Sequence, residues 1–91
     1  MAKICVKFIV SGLVQGVGFR FHTCHEGNKR GLTGYARNLE NGDVEVVACG
    51  AQGAIDSLEQ WLRLGPRTSS VQHVASQPIE FKAYQSFQIL Y

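Results

Sequence analysis

Residues 32–49, LTGYARNLENGDVEVVAC, read as two strands around a turn. The turn is ENGD at 40–43, where Asn41-Gly42 accepts the positive φ angles of a tight hairpin. LTGYARNL (32–39) is the strand before it. VEVVAC (44–49) is the strand after it, with Val44, Val46 and Ala48 on one face and Glu45, Val47 and Cys49 on the other. Outward from this pair, each side reads as a helix. Downstream, GAIDSLEQWLRL (53–64) brings Ile55, Leu58, Trp61 and Leu62 to one helical stripe, simplest as core, and Gly65-Pro66 stops it. Upstream, RFHTCHEGNKR (20–30) closes with Lys29 and Arg30, suited to a helix C-terminus, before Gly31. Farther out, KICVKFIVS (3–11) alternates: Ile4, Val6, Phe8 and Val10 face one way, Lys3, Cys5 and Lys7 the other. Residues 71–82 and 86–91 read as closing strands, with Pro78 marking an edge or a break. The order strand, helix, strand, strand, helix, strand predicts an α+β, ferredoxin-like split βαβ sandwich. Its antiparallel sheet has four to five strands and two helices on one face. The first and second strands run parallel, with the third between them and antiparallel to both.

The 91 residues fit one domain, 1–91, and 45% hydrophobic content fits a folded chain. The net charge of +2 is carried by scattered lysines and arginines, which argues against a nucleic-acid stripe. The N-terminal MAKICVKFIV is too short, and too broken by Lys7, for a signal peptide or membrane span. A cytoplasmic monomer is expected. Three cysteines with no CxxC make no disulfide scaffold.

One stretch carries the chemistry. VQGVGFRF (14–21) sets Gly16 and Gly18 between a strand and a helix, and ends on Arg20. Such a loop leaves backbone N–H groups unpaired at a helix N-terminus, where glycine lets them curl into an anion cradle. Arg20 adds a planar fork able to hold two phosphate oxygens. The pattern is neither a Walker loop nor a dinucleotide fingerprint. A tight turn with an exposed arginine is the bland alternative. Asn38, at the end of the second strand, falls on the same sheet edge as Arg20, with backbones roughly 10 Å apart across one intervening strand. A polar residue satisfying local backbone is its bland alternative.

VSGLVQGVGFR (10–20) and GYARNLENGDVEVVACG (34–50) resemble the two signature motifs of the acylphosphatases. The resemblance spans essentially the whole chain, including the closing aromatics Phe87 and Tyr91. It implies a hydrolase of acyl phosphates that uses no metal or other cofactor and releases inorganic phosphate. It implies that Arg20 binds the phosphoryl group and that Asn38 positions water. The backbone amides of Gln15, Gly16, Val17, Gly18, Phe19 and Arg20 complete the phosphate-binding set. One departure stands out: family members often carry a basic residue before the final tyrosine, where this chain has Leu90. That leaves open how the arginine is oriented and how it meets the chain end.

Other residues carry weaker signals. His22, Cys24 and His25 lie close together, but no further Cys or His pair completes a metal set and His73 is isolated, so no metal site is expected. Cys5 starts the first strand and Cys49 ends the third, on the face away from the helices. Antiparallel pairing makes them neighbours, either bridged or as two reduced thiols. GPRTSS (65–70) is a polar loop or part of the substrate entrance. Two other functions compete. A non-catalytic phosphate or carbamoyl-phosphate binding module would use the same cradle. An RNA-binding ferredoxin-like domain would need stacking aromatics on the open sheet face, where Lys3, Cys5, Lys7, Glu45, Val47 and Cys49 stand instead. No nucleic-acid or membrane partner is expected.

Overall fold

The computed structural model describes residues 2–91. Among these, the order is β1 (Ile4–Leu13), α1 (Phe19–Lys29), β2 (Thr33–Asn38), β3 (Val44–Gly50), α2 (Gln52–Leu64), β4 (Ser70–Ile79) and β5 (Phe87–Leu90). The strands form one sheet in the order β4-β1-β3-β2-β5. β3 lies between β1 and β2 and is antiparallel to both. This is the split βαβ arrangement, with one parallel pair: β5 adds alongside β2 in the same direction. The sheet is therefore mixed, where a wholly antiparallel one was expected. Residues 80–86 carry the chain across from one sheet edge to the other before β5 starts, so β5 follows no hairpin.

Alternation decides which side of each strand meets the helices. Phe8 and Val10 of β1 and Val44, Val46 and Ala48 of β3 pack with Phe19 of α1 and with Ile55, Leu58 and Leu62 of α2 in one core. These side chains are nearly or fully excluded from solvent, and each of them except the small Ala48 is worth roughly 1.5–3 kcal/mol of transfer free energy. α1 docks through Phe19, Thr23, Cys24 and Gly27. Gly27 is glycine for want of space: a Cβ there would fall within 2.4 Å of the Phe87 ring. Pro78 sits on β4, an edge strand, where its missing N–H costs no ladder bond on the outer side.

The far face of the sheet is not open as expected. Residues 80–86 cross it, and Cys5, Val47 and Cys49 are buried there with Tyr35, Ile79 and Tyr84 packed around them. Lys82 N–H donates to Cys5 Sγ at 3.4 Å. Cys5 and Cys49, directly opposed in register, are joined by a disulfide. Tyr35 and Tyr84 meet edge-on at 5.8 Å, so this face does carry an aromatic pair. Both partners lay outside β1 and β3, the strands from which the face was read. Buried Glu45 accepts from Tyr35 Oη at 2.9 Å and from Arg37 Nη2 at 2.7 Å, with Lys7 Nζ 3.7 Å away. Since Arg37 faces Glu45 across the β2–β3 pair, that ion pair helps hold the hairpin in register. Among the described residues, no helix is long and apolar enough to cross a membrane.

Candidate active site

β1 runs to Leu13 and α1 starts at Phe19, so residues 14–18 reverse the chain. Gly16 (φ 75°) and Gly18 (φ 78°) take the left-handed conformation that makes this possible. Space is not the constraint: a Cβ on Gly16 would meet nothing within 4 Å, and one on Gly18 would meet only the His22 ring, at 3.7 Å. Among the described residues, the N–H groups of 15–21 donate to no backbone acceptor, and the helix closes its first bond at His22, which donates to Gly18 O at 3.1 Å. α1 has no acidic residue in its first turn and no side chain capping it. Its positive end therefore has no built-in competitor for an anion.

Arg20 stands half-buried in this first turn. Arg30, Arg37 and Arg63 each pair with a glutamate; among the described residues, Arg20 pairs with none. Its guanidinium carbon lies 5.2 Å from the centre of the Tyr91 ring. The chain end thus reaches the arginine through an aromatic face, while Leu90 pairs with Arg37 in the β2–β5 register. Gly16, Gly18, Phe19, Arg20 and Ile89 line a concavity of about 110 Å³. That volume is on the scale of a phosphoryl group. A larger groove of about 490 Å³, lined by Lys7, Tyr35 and Tyr84, lies on the far sheet face. It holds neither the unpaired amides nor Arg20, so size alone does not choose the site.

Asn38 is the last residue of β2. Its Oδ1 is shielded from solvent and has no hydrogen-bond partner among the described residues. An acceptor left so costs roughly 1–3 kcal/mol and is matched to a donor such as a water proton. Asn38 and Val10 both pair with Val44, from opposite sides. The two outer backbones are thus about 10 Å apart, with β1 leading on into the glycine loop.

A side chain closes the remaining gap. Gln15 Nε2 donates to Leu39 O and to Asp43 O, each at 2.8 Å. The glycine loop is thereby tied to the residue that follows Asn38. On its other flank, Thr68 Oγ1 donates to Val17 O at 2.8 Å. Neither tie was read from the sequence. The sequence singles out Gln15 for its backbone amide alone, and Thr68 only within GPRTSS, a polar loop or part of the substrate entrance. No local pattern encodes a bond between residues so far apart in the chain.

The remaining singled-out residues stand apart. Among the described residues, no three His, Cys, Asp or Glu side chains gather where they could hold an ion. His22 and His25 are exposed. Cys24 is buried one helical turn after Arg20, and burial pushes its thiol up to about 11, against smaller pulls from the Ala36 backbone and the Arg20 charge. Such a thiol is unreactive near neutral pH.

The acylphosphatase family model matches residues 6–89. An acylphosphatase of Vibrio cholerae serotype O1 is 59% identical over 91 residues, covering 99% of this chain and 100% of that protein. The solved structure of an acylphosphatase from Coxiella burnetii superposes with a TM-score of 0.93 at 39% identity, over 97% of this chain and 93% of that one. An acylphosphatase from Bacillus subtilis gives the same TM-score, 0.93, at 32% identity, over 97% of this chain and 99% of that one.

Proposed function

The chain belongs to the acylphosphatase family and is an acyl phosphate hydrolase, and from that premise we propose how its residues divide the work. The phosphoryl group sits in the cup of residues 15–20, bound by backbone N–H groups and by the Arg20 fork. Asn38 accepts a hydrogen bond from the attacking water and aims its oxygen at phosphorus. Water oxygen bonds to phosphorus, the bond from phosphorus to the acyl oxygen breaks, and a carboxylate leaves. The water proton passes to a phosphate oxygen. A carboxylate leaves readily without a general acid, so the demand on the protein is positioning and charge neutralisation. Both are met by preorganised donors, one of which contributes roughly 3 kcal/mol to lowering a barrier.

What supports this reading above all is the Gln15 tie, which fastens the loop of unpaired amides to the neighbour of Asn38 and its unpaired oxygen. The substrate is a small molecule recognised at its phosphate end. Hydrolysis of benzoyl phosphate by the Arg20→Lys variant is the test. Lysine keeps the charge and loses the fork. Turnover is expected to fall on the order of a hundredfold or more, with an unchanged circular dichroism spectrum. Near-normal turnover would remove Arg20 from the site. Repeating the wild-type assay with a chelator tests whether a metal takes part, and the expected result is no change.

A further inference from the structure

The glycines that shape the cup also leave it a weakness. A peptide unit is planar and trans, so its carbonyl and N–H point in opposite directions. Turning the unit between Val17 and Gly18 over would leave both flanking Cα atoms in place. It would present a carbonyl oxygen where the cup needs a donor. In most chains the residue after such a unit resists the turn, but glycine accepts both signs of φ, and Gly18 is at φ 78° and ψ 14°.

We propose that Thr68 is a positioning residue that holds this peptide in its donating orientation. This rests on the cup being the phosphoryl site. Thr68 Oγ1 donates to Val17 O at 2.8 Å. Gly16, Gly18 and Arg20 line the concavity, while Val17 and Thr68 do not. The Val17 carbonyl is therefore drawn toward Thr68, outside the lining of the cup, and the Gly18 N–H, pointing the opposite way within the same plane, would turn into the cup. The hydroxyl selects one orientation. A carbonyl oxygen projects about 1.23 Å from its carbon, off the chain axis, whereas the amide nitrogen lies within the chain. With the unit turned over, the nitrogen would stand beyond hydrogen-bonding reach of Oγ1 unless the whole 65–69 turn moved. That turn is itself pinned: Ser69 donates to Pro66 O through its N–H at 3.0 Å and through its Oγ at 2.8 Å.

The experiment compares Thr68→Val and Thr68→Ser in the full chain, with inorganic phosphate as competitive inhibitor of benzoyl phosphate hydrolysis. Thr68 is exposed, so both variants fold, and thermal melts check it. For Thr68→Val the phosphate inhibition constant is expected to rise, and kcat/KM to fall, by about tenfold (~1.4 kcal/mol). Thr68→Ser, which keeps the hydroxyl, returns both to within about twofold. The Gly18 amide resonance of the wild type shifts on phosphate addition, and that shift is reduced in Thr68→Val. An unchanged inhibition constant in Thr68→Val overturns the proposal, as does an equal loss in both variants. Arg20→Lys, measured alongside, separates this from the underlying reading. If Arg20→Lys is inactive while Thr68→Val binds phosphate normally, only the role of Thr68 falls. If Arg20→Lys also turns over and binds phosphate normally, the cup itself is not the site.

Discussion

Replacing Gln15 by methionine keeps the length of the side chain and removes its two donated hydrogen bonds, each 2.8 Å long. The structure bounds the cost. Leu39 O still accepts from Gly42 N–H at 3.2 Å, and Asp43 O still accepts from Leu39 N–H at 2.8 Å. No carbonyl is orphaned, so the penalty for a stranded buried acceptor does not arise. What is lost is the net value of two part-buried hydrogen bonds, about 1 kcal/mol each and about 2 kcal/mol together. If that energy serves wholly to hold the Asn38 end of β2 against the loop, its loss slows the chemical step by up to about thirtyfold. The loop keeps its own amides and Arg20, so phosphate binding is expected to weaken much less than turnover. Initial rates on benzoyl phosphate give kcat and KM, phosphate inhibition gives ground-state affinity, and a urea transition gives stability. A stability loss near 2 kcal/mol with unchanged kcat would make the tie purely structural. An equal loss of kcat and phosphate affinity would mean that Gln15 shapes the cup itself and does not set its distance to Asn38.

Asn38→Ala is expected to lower kcat strongly while leaving phosphate inhibition nearly intact; steady-state kinetics showing the reverse would make Asn38 a binding residue. Gly18→Ala is expected to weaken phosphate binding and to cost roughly 1–2 kcal/mol in urea unfolding, from backbone strain alone, since there is room for the methyl group. Gly18→Asn is expected to lose less on both counts, because asparagine tolerates the left-handed region, and equal losses would refute the conformational explanation. Burial, with the Glu45 hydrogen bond and charge, pushes the Tyr35 phenol up to about 12. A raised value in the folded state means that the native protein holds the proton more tightly than the unfolded chain does. The associated stability is therefore complete below about pH 10 and is lost as pH rises from there through about 12. The Cys24 thiol, held near 11, acts in the same direction. Urea midpoints across that range are expected to fall less steeply in Tyr35→Phe than in the wild type, and identical slopes would show that Tyr35 contributes nothing.

The two cysteines and the two tyrosines of the far sheet face separate what is local from what is not. Alternation along β1 and β3 put Cys5 and Cys49 on the face away from the helices, and antiparallel pairing made them neighbours. What alternation could not disclose is that residues 80–86 would be laid across that face. Nor could it show that Tyr84 would arrive there against Tyr35, or that β5 would add parallel to β2. Strand direction at an edge depends on how the chain returns, and nothing within four residues carries that information.

The same division runs through the site. Asn41-Gly42, the strand alternation, the helical stripe of α2 and the glycines before Arg20 are short-range signals. Each states a backbone geometry or a facing direction that a few neighbouring residues determine through sterics and hydrophobic burial. From them the α+β order and the strand pairing around β3 were legible; the acylphosphatase motifs were legible only as a resemblance carried by residues 10–20 and 34–50. Packing also left Asn38 Oδ1 buried with no partner among the described residues, and it decided that Gln15 reaches the β2–β3 turn, that Thr68 grips Val17 from far along the chain and that Tyr91 lies over Arg20. These contacts join segments that have no local preference for one another. They form only because the shared core brings the segment ends together.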